Sequence, residues 1–391
     1  MARSTAAKLD TIADRVPGKF RNLIPNIQDW EKAASIPDWI YKKAADDGLL
    51  MPIAAGPAIP TDWRGKYPII GDVPPEEWDG FHDLIIHDEI GRNGGIGLEN
   101  GLFGGTKTLV IPAVHKFGSA KLQQTVVDDV LSGKSRIALA ITEPDAGSDW
   151  ITGGMYAQYF LTLVKESSGE FTLVVVPRTK GVSTRHMEMS GSTTAGTAFV
   201  EFDDVEISLD MVVGERGKGF KYIISNFNHE RLFIAMQSVR CARVCLEDSI
   251  EYAMSRETFG KKLVDHPVIR FKFANMSRET EALQSWIESL LYQLGHLSTT
   301  EGEFLLAGTT AQIKAHSGIV LEHVVREAIQ IMGGIGLTRG AGRGERVERI
   351  WRDVKAITVP GGSEEVMLDL ATRRALKVTA ELRKLGPKTR L

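Results

Sequence analysis

The sequence predicts an α+β protein in three successive parts. These are an N-terminal α-helical domain over residues 1–138, a small central β-domain over 139–212 and a C-terminal α-helical bundle over 213–391. Two observations predict it. Apolar residues recur at helical spacing at both ends of the chain, and in the middle they give way to short runs of β-branched and aromatic residues. The order helices, strands, helices contains no strand–helix–strand alternation, which argues against a dinucleotide-binding doubly wound sheet. The glycine runs agree. In "GGIGLENG" and "GGIGLTRG" the place of the third fingerprint glycine holds Asn100 and Arg339, and neither run follows a strand.

Each element follows from local chemistry. "IPDWIYKKAADDGLL" has helical periodicity and a stop at glycine. "PPEEWDGFHDLIIHDEIGRNGG" opens on proline and acids, places Trp78, Phe81, Leu84, Ile85 and Ile86 on a broad apolar face, and closes at Gly94-Gly95. "SAKLQQTVVDDVLSGK" has Ser119 as a candidate N-cap and Gly133 as a candidate C-cap. "QYFLTLV", "EFTLVVVP" and "TAFVEFDDVEI" read as strands, with "KESSGE" as the hairpin loop between the first two. Leu232, Met236, Val239, Ala242, Leu246, Ile250 and Ala253 then mark one long helix. Others run through "VIRFKFANMSRETEALQSWIESLLYQL" and "LAGTTAQIKAHSGIVLEHVVREAIQIMGG".

Composition narrows the function classes. The 391 residues suffice for a large core, and 43% hydrophobic with 25% charged residues is an ordinary globular profile. A net charge of -3 leaves no basic footprint for nucleic acid, and the basic run "RRALKVTAELRKLGPKTRL" reads as a solvated helix end. No apolar run is long enough to span a bilayer, and "MARSTAAKLDTIADRV" has no secretory core. "KTRL" resembles a peroxisomal signal only loosely, so mitochondrial, peroxisomal and cytoplasmic locations stay open. Cys241 and Cys245 share one face of an apolar stripe and read as core thiols. His82, His87, Asp88 and Glu89 invite a metal reading, but histidines five apart splay around a helix, so no metal is expected.

Five segments in order carry a resemblance: "AITEPDAGSD", "WITGG", "NHERL", "RETFGKKLVDHPVIR" and "QIMGGIG…VERIWRDVKAITVPGGSEEVM". Together they resemble the acyl-CoA dehydrogenase family over nearly the whole chain. The "VPGGSEE" wording looks most like a branch common in fungi. The resemblance implies an oxidoreductase of fatty acid metabolism, such as β-oxidation, whose C-terminal part is a four-helix bundle. It implies FAD as cofactor, an acyl-CoA as substrate, and electron-transferring flavoprotein or oxygen as acceptor. A homotetramer with FAD at a dimer interface is also implied.

Site residues follow from the same matches. Thr142 would hold the flavin's pyrimidine edge, Ser148 would bond to flavin or CoA phosphates, Trp150 would lie against the isoalloxazine, and Thr152 would donate near N5. An aromatic wall and nearby donors suit a planar redox ring. Arg256, Thr258 and Phe259 match positions that reach the neighbouring subunit's FAD, while Pro267 replaces a glutamine common in relatives. Gln330, Gly333 and Gly334 match the approach to the adenosine half, and Gly362 and Ser363 lie near the same nucleotide. Leu102, Phe103 and Gly104 match the neighbourhood of the acyl pocket.

Relatives place the catalytic base either in a loop before the last helix or on the long helix. Here the loop position aligns with Gly361, which has no side chain, and the helix position holds Glu230. The resemblance therefore assigns the base to Glu230 and leaves Gly361 a backbone N–H donor for the thioester oxygen. Asn228 and Arg231 are assigned to substrate. Without the resemblance, Glu230 reads as a first-turn glutamate favoured by the helix dipole and Arg231 as a surface charge. A carboxylate suits the task, because the α-proton of a thioester is a weak acid and the base must be withdrawn from water.

One departure stands out. Relatives carry some two dozen residues between the "GSD" and "WIT" motifs, whereas Asp149 runs directly into Trp150. Either the chain has a natural or engineered deletion, or its sequence closes up over residues that belong there. Two alternatives stay open beside the dehydrogenase: a flavin oxidase on the same fold, and a non-catalytic flavoprotein scaffold.

Overall fold

The computed structural model describes residues 27–57, 59–104, 110–143, 151–224, 227–340 and 342–384. Their order is α1 Ile27–Ala33, α2 Asp38–Asp46, α3 Leu50–Ala55, α4 Gly80–Gly91, α5 Ile96–Phe103, α6 Val110–Phe117, α7 Ala120–Leu122 and α8 Asp128–Leu131. Strands follow: β1 Ile137–Ala140, β2 Tyr159–Lys165, β3 Phe171–Pro177, β4 Val182–His186, β5 Ala198–Phe202 and β6 Val212–Val213. Then come α9 Gly219–Ile224, α10 Phe227–Ser255, β7 Glu257–Thr258, β8 Lys261–Lys262, α11 Pro267–Leu294, α12 Thr299–Leu305, α13 Ala307–Met332, α14 Glu345–Thr358 and α15 Glu364–Lys384. The fold is α+β, as the sequence predicts.

The chain divides into two compact units. The first comprises residues up to Asp83 together with Ile96–Glu230. The second comprises Leu84–Gly95 and Arg231 onward. Strands β1–β6 thus cluster with α1–α3 and α5–α9, β7 and β8 belong to the second unit, and α4 and α10 each contribute a first turn to one unit and the remainder to the other.

In the first unit, helix ends obey local signals. α2 gives way to Gly48 at φ +79, where an added Cβ would lie 2.6 Å from the backbone of Ile69 and Ile70, so only glycine fits. Ser119 caps α7 by accepting from the N–H of Leu122 at 3.1 Å. Asp79 opens α4, its carboxylate accepting from the N–H groups of Phe81 (3.0 Å) and His82 (3.1 Å). Burial works to raise the Asp79 carboxyl, but its bonds to the His82 ring and backbone outweigh burial and hold it below the ordinary range.

The sheet order is β1-β2-β3-β6, with β1 parallel to β2 and the other pairs antiparallel. The β2–β3 hairpin closes through the "KESSGE" loop, where Glu166 N–H meets Glu170 O at 2.8 Å and Gly169 takes φ +88. β4 and β5 form a separate antiparallel pair, which Ile151 joins through a bridge to Ala198. Alternate residues bury a core of Ala138, Ala140, Ile151, Phe160, Val174 and Val176, covered by Val200 and Phe202. Phe160 is its centre: fully buried, edge-on to Phe202 at 5.7 Å between centroids, with the Arg178 guanidinium 5.2 Å from its ring centre.

In the second unit, α13 carries a buried stripe of Ala307, Ala311, Lys314, Gly318, Leu321, Val325, Ala328 and Met332. It packs against α11, α14 and α15. α10 joins α11 through an Arg243–Glu281 fork at 2.6 and 3.1 Å. Cys241 and Cys245 are buried, and burial pushes the Cys245 thiol well above its ordinary value. Among the described residues, no helix is long and apolar enough to cross a membrane.

Two outcomes are expected here. Phe160→Ala leaves a cavity in the β-core and lowers stability by about 3–5 kcal/mol, read from the urea midpoint. Asp79→Ala costs about 1 kcal/mol at neutral pH. A depressed folded-state carboxyl stabilises above the unfolded-state pKa, so the gap between variant and parent narrows as pH falls through the Asp79 titration.

Candidate active site

Two stretches carry the residues to which the resemblance assigns chemistry: the first turn of α10, in the first unit, and the loop Val359–Ser363, in the second.

The first turn of α10 holds Phe227, Asn228, His229 and Glu230, all half-buried. The Oε2 atom of Glu230 is shielded from solvent. His229 turns to Asp83 in the first turn of α4, with Nε2 2.7 Å from Oδ2. The other Asp83 oxygen accepts from Trp78 Nε1 at 2.9 Å.

The loop is built around two glycines with positive φ, +74 at Gly361 and +112 at Gly362. A Cβ on Gly361 would lie 2.7 Å from Ile234 Cδ1, and one on Gly362 would lie 2.3 Å from Met367 Cε. The loop carbonyls are held by cations. Arg231 Nε donates to Gly361 O at 3.2 Å. The buried Lys314 ammonium donates to Gly362 O, and to Thr358 O at the end of α14. Arg231, assigned to substrate from sequence, thus has its Nε engaged by the loop backbone. Glu364 and Glu365 begin α15 and point to solvent. The Glu365 carboxyl is held below the ordinary range by its own N–H and by the Ser363 hydroxyl. Ser363 O accepts the N–H of Met367 at 2.9 Å, which starts that helix.

The flavin assignments fall in several places. Thr142 follows β1 and is half-buried. Ser148, Trp150 and the Asp149–Trp150 junction lie outside the described residues. Thr152 sits in a turn tied to Ala195–Ala198: the N–H groups of Ile151, Gly153 and Met155 donate to Ala198 O, Ala195 O and Gly196 O at 3.0–3.1 Å. Its Cγ2 would lie 3.2 Å from a Cβ on Gly104, so the structure brings Thr152 beside the segment assigned to the acyl pocket.

In the second unit, Arg256, Thr258 and Phe259 shape the β7–β8 hairpin, whose turn is Phe259 at φ +51 and Gly260 at φ +75. Arg256 is exposed, and Phe259 is 98% exposed. Thr258 Oγ1 lies 3.0 Å from His266 Nε2, and Pro267 takes the first position of α11. Gln330 is exposed in the last turn of α13. Gly333 caps that helix at φ +60, and beside both Gly333 and Gly334 there is open space. The histidines of the metal reading go separate ways: His82 bonds Asp79 at 2.7 Å, and His87 stacks on Phe233 with centroids 4.7 Å apart.

Comparison with known proteins decides the family. Residues 217–376 match the model of the acyl-CoA dehydrogenase C-terminal domain. An acyl-CoA dehydrogenase of Emericella nidulans, apdG, is 37% identical, in an alignment covering 94% of this chain and 90% of the relative. The chain belongs to the acyl-CoA dehydrogenase family. Another member, AFT10-1 of Alternaria alternata, is 34% identical over 89% of this chain and 87% of its own. The butyryl-CoA dehydrogenase of Megasphaera elsdenii shares the fold, with a TM-score of 0.79 at 22% identity, covering 94% of this chain and 98% of that one. The 400 aligned positions of the Emericella relative take in 94% of the 391 residues here, which leaves about thirty positions of the relative without a counterpart. Acyl-CoA dehydrogenases are flavin-dependent enzymes, and this chain is an enzyme of that class.

For this acyl-CoA dehydrogenase, sequence reasoning missed Lys314, Ile234 and the Asp83–His229 pair. Lys314 left a signal: it is a lone lysine in step with the apolar stripe of α13, which a solvated lysine does not occupy. Ile234 and Asp83 left none, because their roles depend on partners distant in sequence. One outcome checks the loop. Gly361→Ala must place a side chain at positive φ against Ile234, and it lowers stability by about 1–2 kcal/mol in thermal or urea denaturation.

Proposed function

We propose that the chain is an FAD-dependent dehydrogenase that converts an acyl-CoA thioester to its 2,3-enoyl-CoA, with Glu230 as the base. The observation that carries this reading is the complementary pair of positions. Gly361 stands at positive φ with Ile234 against the direction a side chain would take, so that position carries no base. Glu230 meanwhile offers a carboxylate with one oxygen withdrawn from water, on the first turn of a long helix.

The residues assigned to FAD suit it. Arg256 presents an exposed planar fork of donors for pyrophosphate, and the open backbone at Gly333 and Gly334 admits a close approach of ribose or phosphate. Thr142, Thr152, Thr258, Phe259, Gln330, Gly362 and Ser363 would complete the set, with Ser148 and Trp150. When bound, FAD supplies the acceptor for the hydride that leaves the β-carbon. Glu230 takes the α-proton. The Gly361 N–H donates to the thioester oxygen, whose negative charge grows as that proton leaves. Asn228 helps to hold the acyl-CoA, and Arg231 serves by bonding the loop carbonyl.

Exposed Met254, Phe259, Val268 and Phe271 support a homo-oligomer, and the family resemblance favours a tetramer. Electron-transferring flavoprotein or oxygen takes the electrons, and peroxide yield in air tells the dehydrogenase from an oxidase. A second reading, a flavoprotein that binds without dehydrogenating, is favoured by the alignment positions this chain lacks. It expects a yellow protein that no acyl-CoA bleaches.

The deciding experiment is anaerobic flavin bleaching across saturated acyl-CoAs from butyryl to palmitoyl. The wild-type chain bleaches with at least one of them. Glu230→Gln keeps FAD and slows bleaching by about 10³-fold. Full-rate bleaching by that variant removes Glu230 from the base role.

A further inference from the structure

We propose that Asp83 and His229 form a positioning pair that sets the direction in which the Glu230 carboxylate leaves its helix. This rests on the reading of Glu230 as the base. The pair itself stands on geometry within one compact unit. The imidazole Nε2 lies 2.7 Å from Asp83 Oδ2, with the two side chains only 15% and 5% exposed. An ionised carboxylate can only accept, so Nε2 carries the proton.

Asp83 cannot swing away. Its other oxygen accepts from the indole N–H of the buried Trp78 at 2.9 Å, and its own helix start is capped by Asp79. On the His229 side, Gly56 at φ +65 clears the space the ring needs. A Cβ there would lie 2.0 Å from Cε1 of the imidazole. The ring is thus boxed by a hydrogen bond on one edge and by close backbone on another.

The consequence for Glu230 follows from helix geometry. His229 stands on the same first turn of α10 as Glu230. Neighbouring residues project about 100° apart around the axis. A His229 ring fixed to Asp83 therefore fixes the azimuth of the turn, and with it the direction of the Glu230 Cα–Cβ bond. Proton abstraction is sensitive to that direction, since a displacement on the order of 1 Å costs about 10²-fold in rate.

The test uses full-length holoprotein and the acyl-CoA that bleaches wild type fastest, with and without deuterium at the α-carbon. Asp83→Ala and His229→Ala are each expected to lower the limiting bleaching rate by about 10–100-fold. FAD content should hold, and the half-saturating acyl-CoA concentration should move by less than about 3-fold. The α-deuterium isotope effect should rise, because proton removal alone is slowed. The double variant should fall no further than the slower single one, as expected for two residues acting as a unit. His229→Gln, which can offer an N–H to Asp83, should recover part of the rate. Should an alanine variant fail to fold, the isosteric Asp83→Asn gives the same isotope readout.

Wild-type rates in the alanine variants, with Glu230→Gln inactive, overturn the pair and leave the base assignment standing. So does a lower melting temperature with the isotope effect unmoved, which marks a purely structural tie. Wild-type bleaching by Glu230→Gln overturns the base assignment and this inference with it.

Discussion

Burial of α10 on every side is the constraint on which the rest of the structure depends. Residues Leu232 to Ala242 are all buried without a break, so the helix has no solvent face through three turns. A helix in that position must satisfy each polar group it carries. Ser238 bonds back to Ile234 O at 2.8 Å, and Arg240 forks onto Asp88, with Nε 2.7 Å from Oδ1. A buried guanidinium without that carboxylate would cost several kcal/mol, so the pair also sets the register of α10 against α4. Sliding by one residue would break the fork and drive Phe233 from its stack on His87. From Arg231 onward the helix is therefore held in rotation and translation within the second unit.

The loop after α14 meets the opposite problem. It has no regular structure of its own, and two successive glycines with positive φ give it little intrinsic stiffness. The rigidity comes from outside the loop. Arg231 and Lys314 bond two successive carbonyls, and Ile234 and Met367 fill the space where side chains would go. Burying the lysine is costly unless its donors are met, and backbone oxygens at Thr358 and Gly362 meet two of them. A glycine pair clamped in this way behaves as a fixed frame of backbone dipoles.

The fold was legible in the sequence wherever local chemistry decides. Ser119, Gly48, Gly133 and the "KESSGE" loop are readable because a cap, a left-handed residue or a hairpin turn needs only its neighbours in the chain. The family was legible because five motifs keep their order. What stayed hidden shares one feature. The acceptors of Lys314 and Arg231 are main-chain carbonyls, and a carbonyl has no letter in the sequence. The Asp83–His229 contact joins residues 146 apart, each unremarkable in its own segment. The first turns of α4 and α10 belong to the same compact unit as the sheet, a grouping set by contacts between residues far apart in the chain.

The proposed assignment also explains why Gly361 is a glycine. A base carried by the loop would need a residue there with a side chain, and a left-handed backbone disfavours one. With the base assigned to α10, the loop needs no side chain at Gly361 and keeps positive φ, where its carbonyls meet Arg231 and Lys314. Helices also hold functional groups more tightly than loops do. Under that assignment the carboxylate, which must aim at one proton, sits on a helix rather than on a loop. The loop keeps the backbone N–H, which needs no side chain to be aimed. Under the proposal, the task that needs a side chain falls to a helix and the task that needs only a backbone N–H falls to a glycine loop.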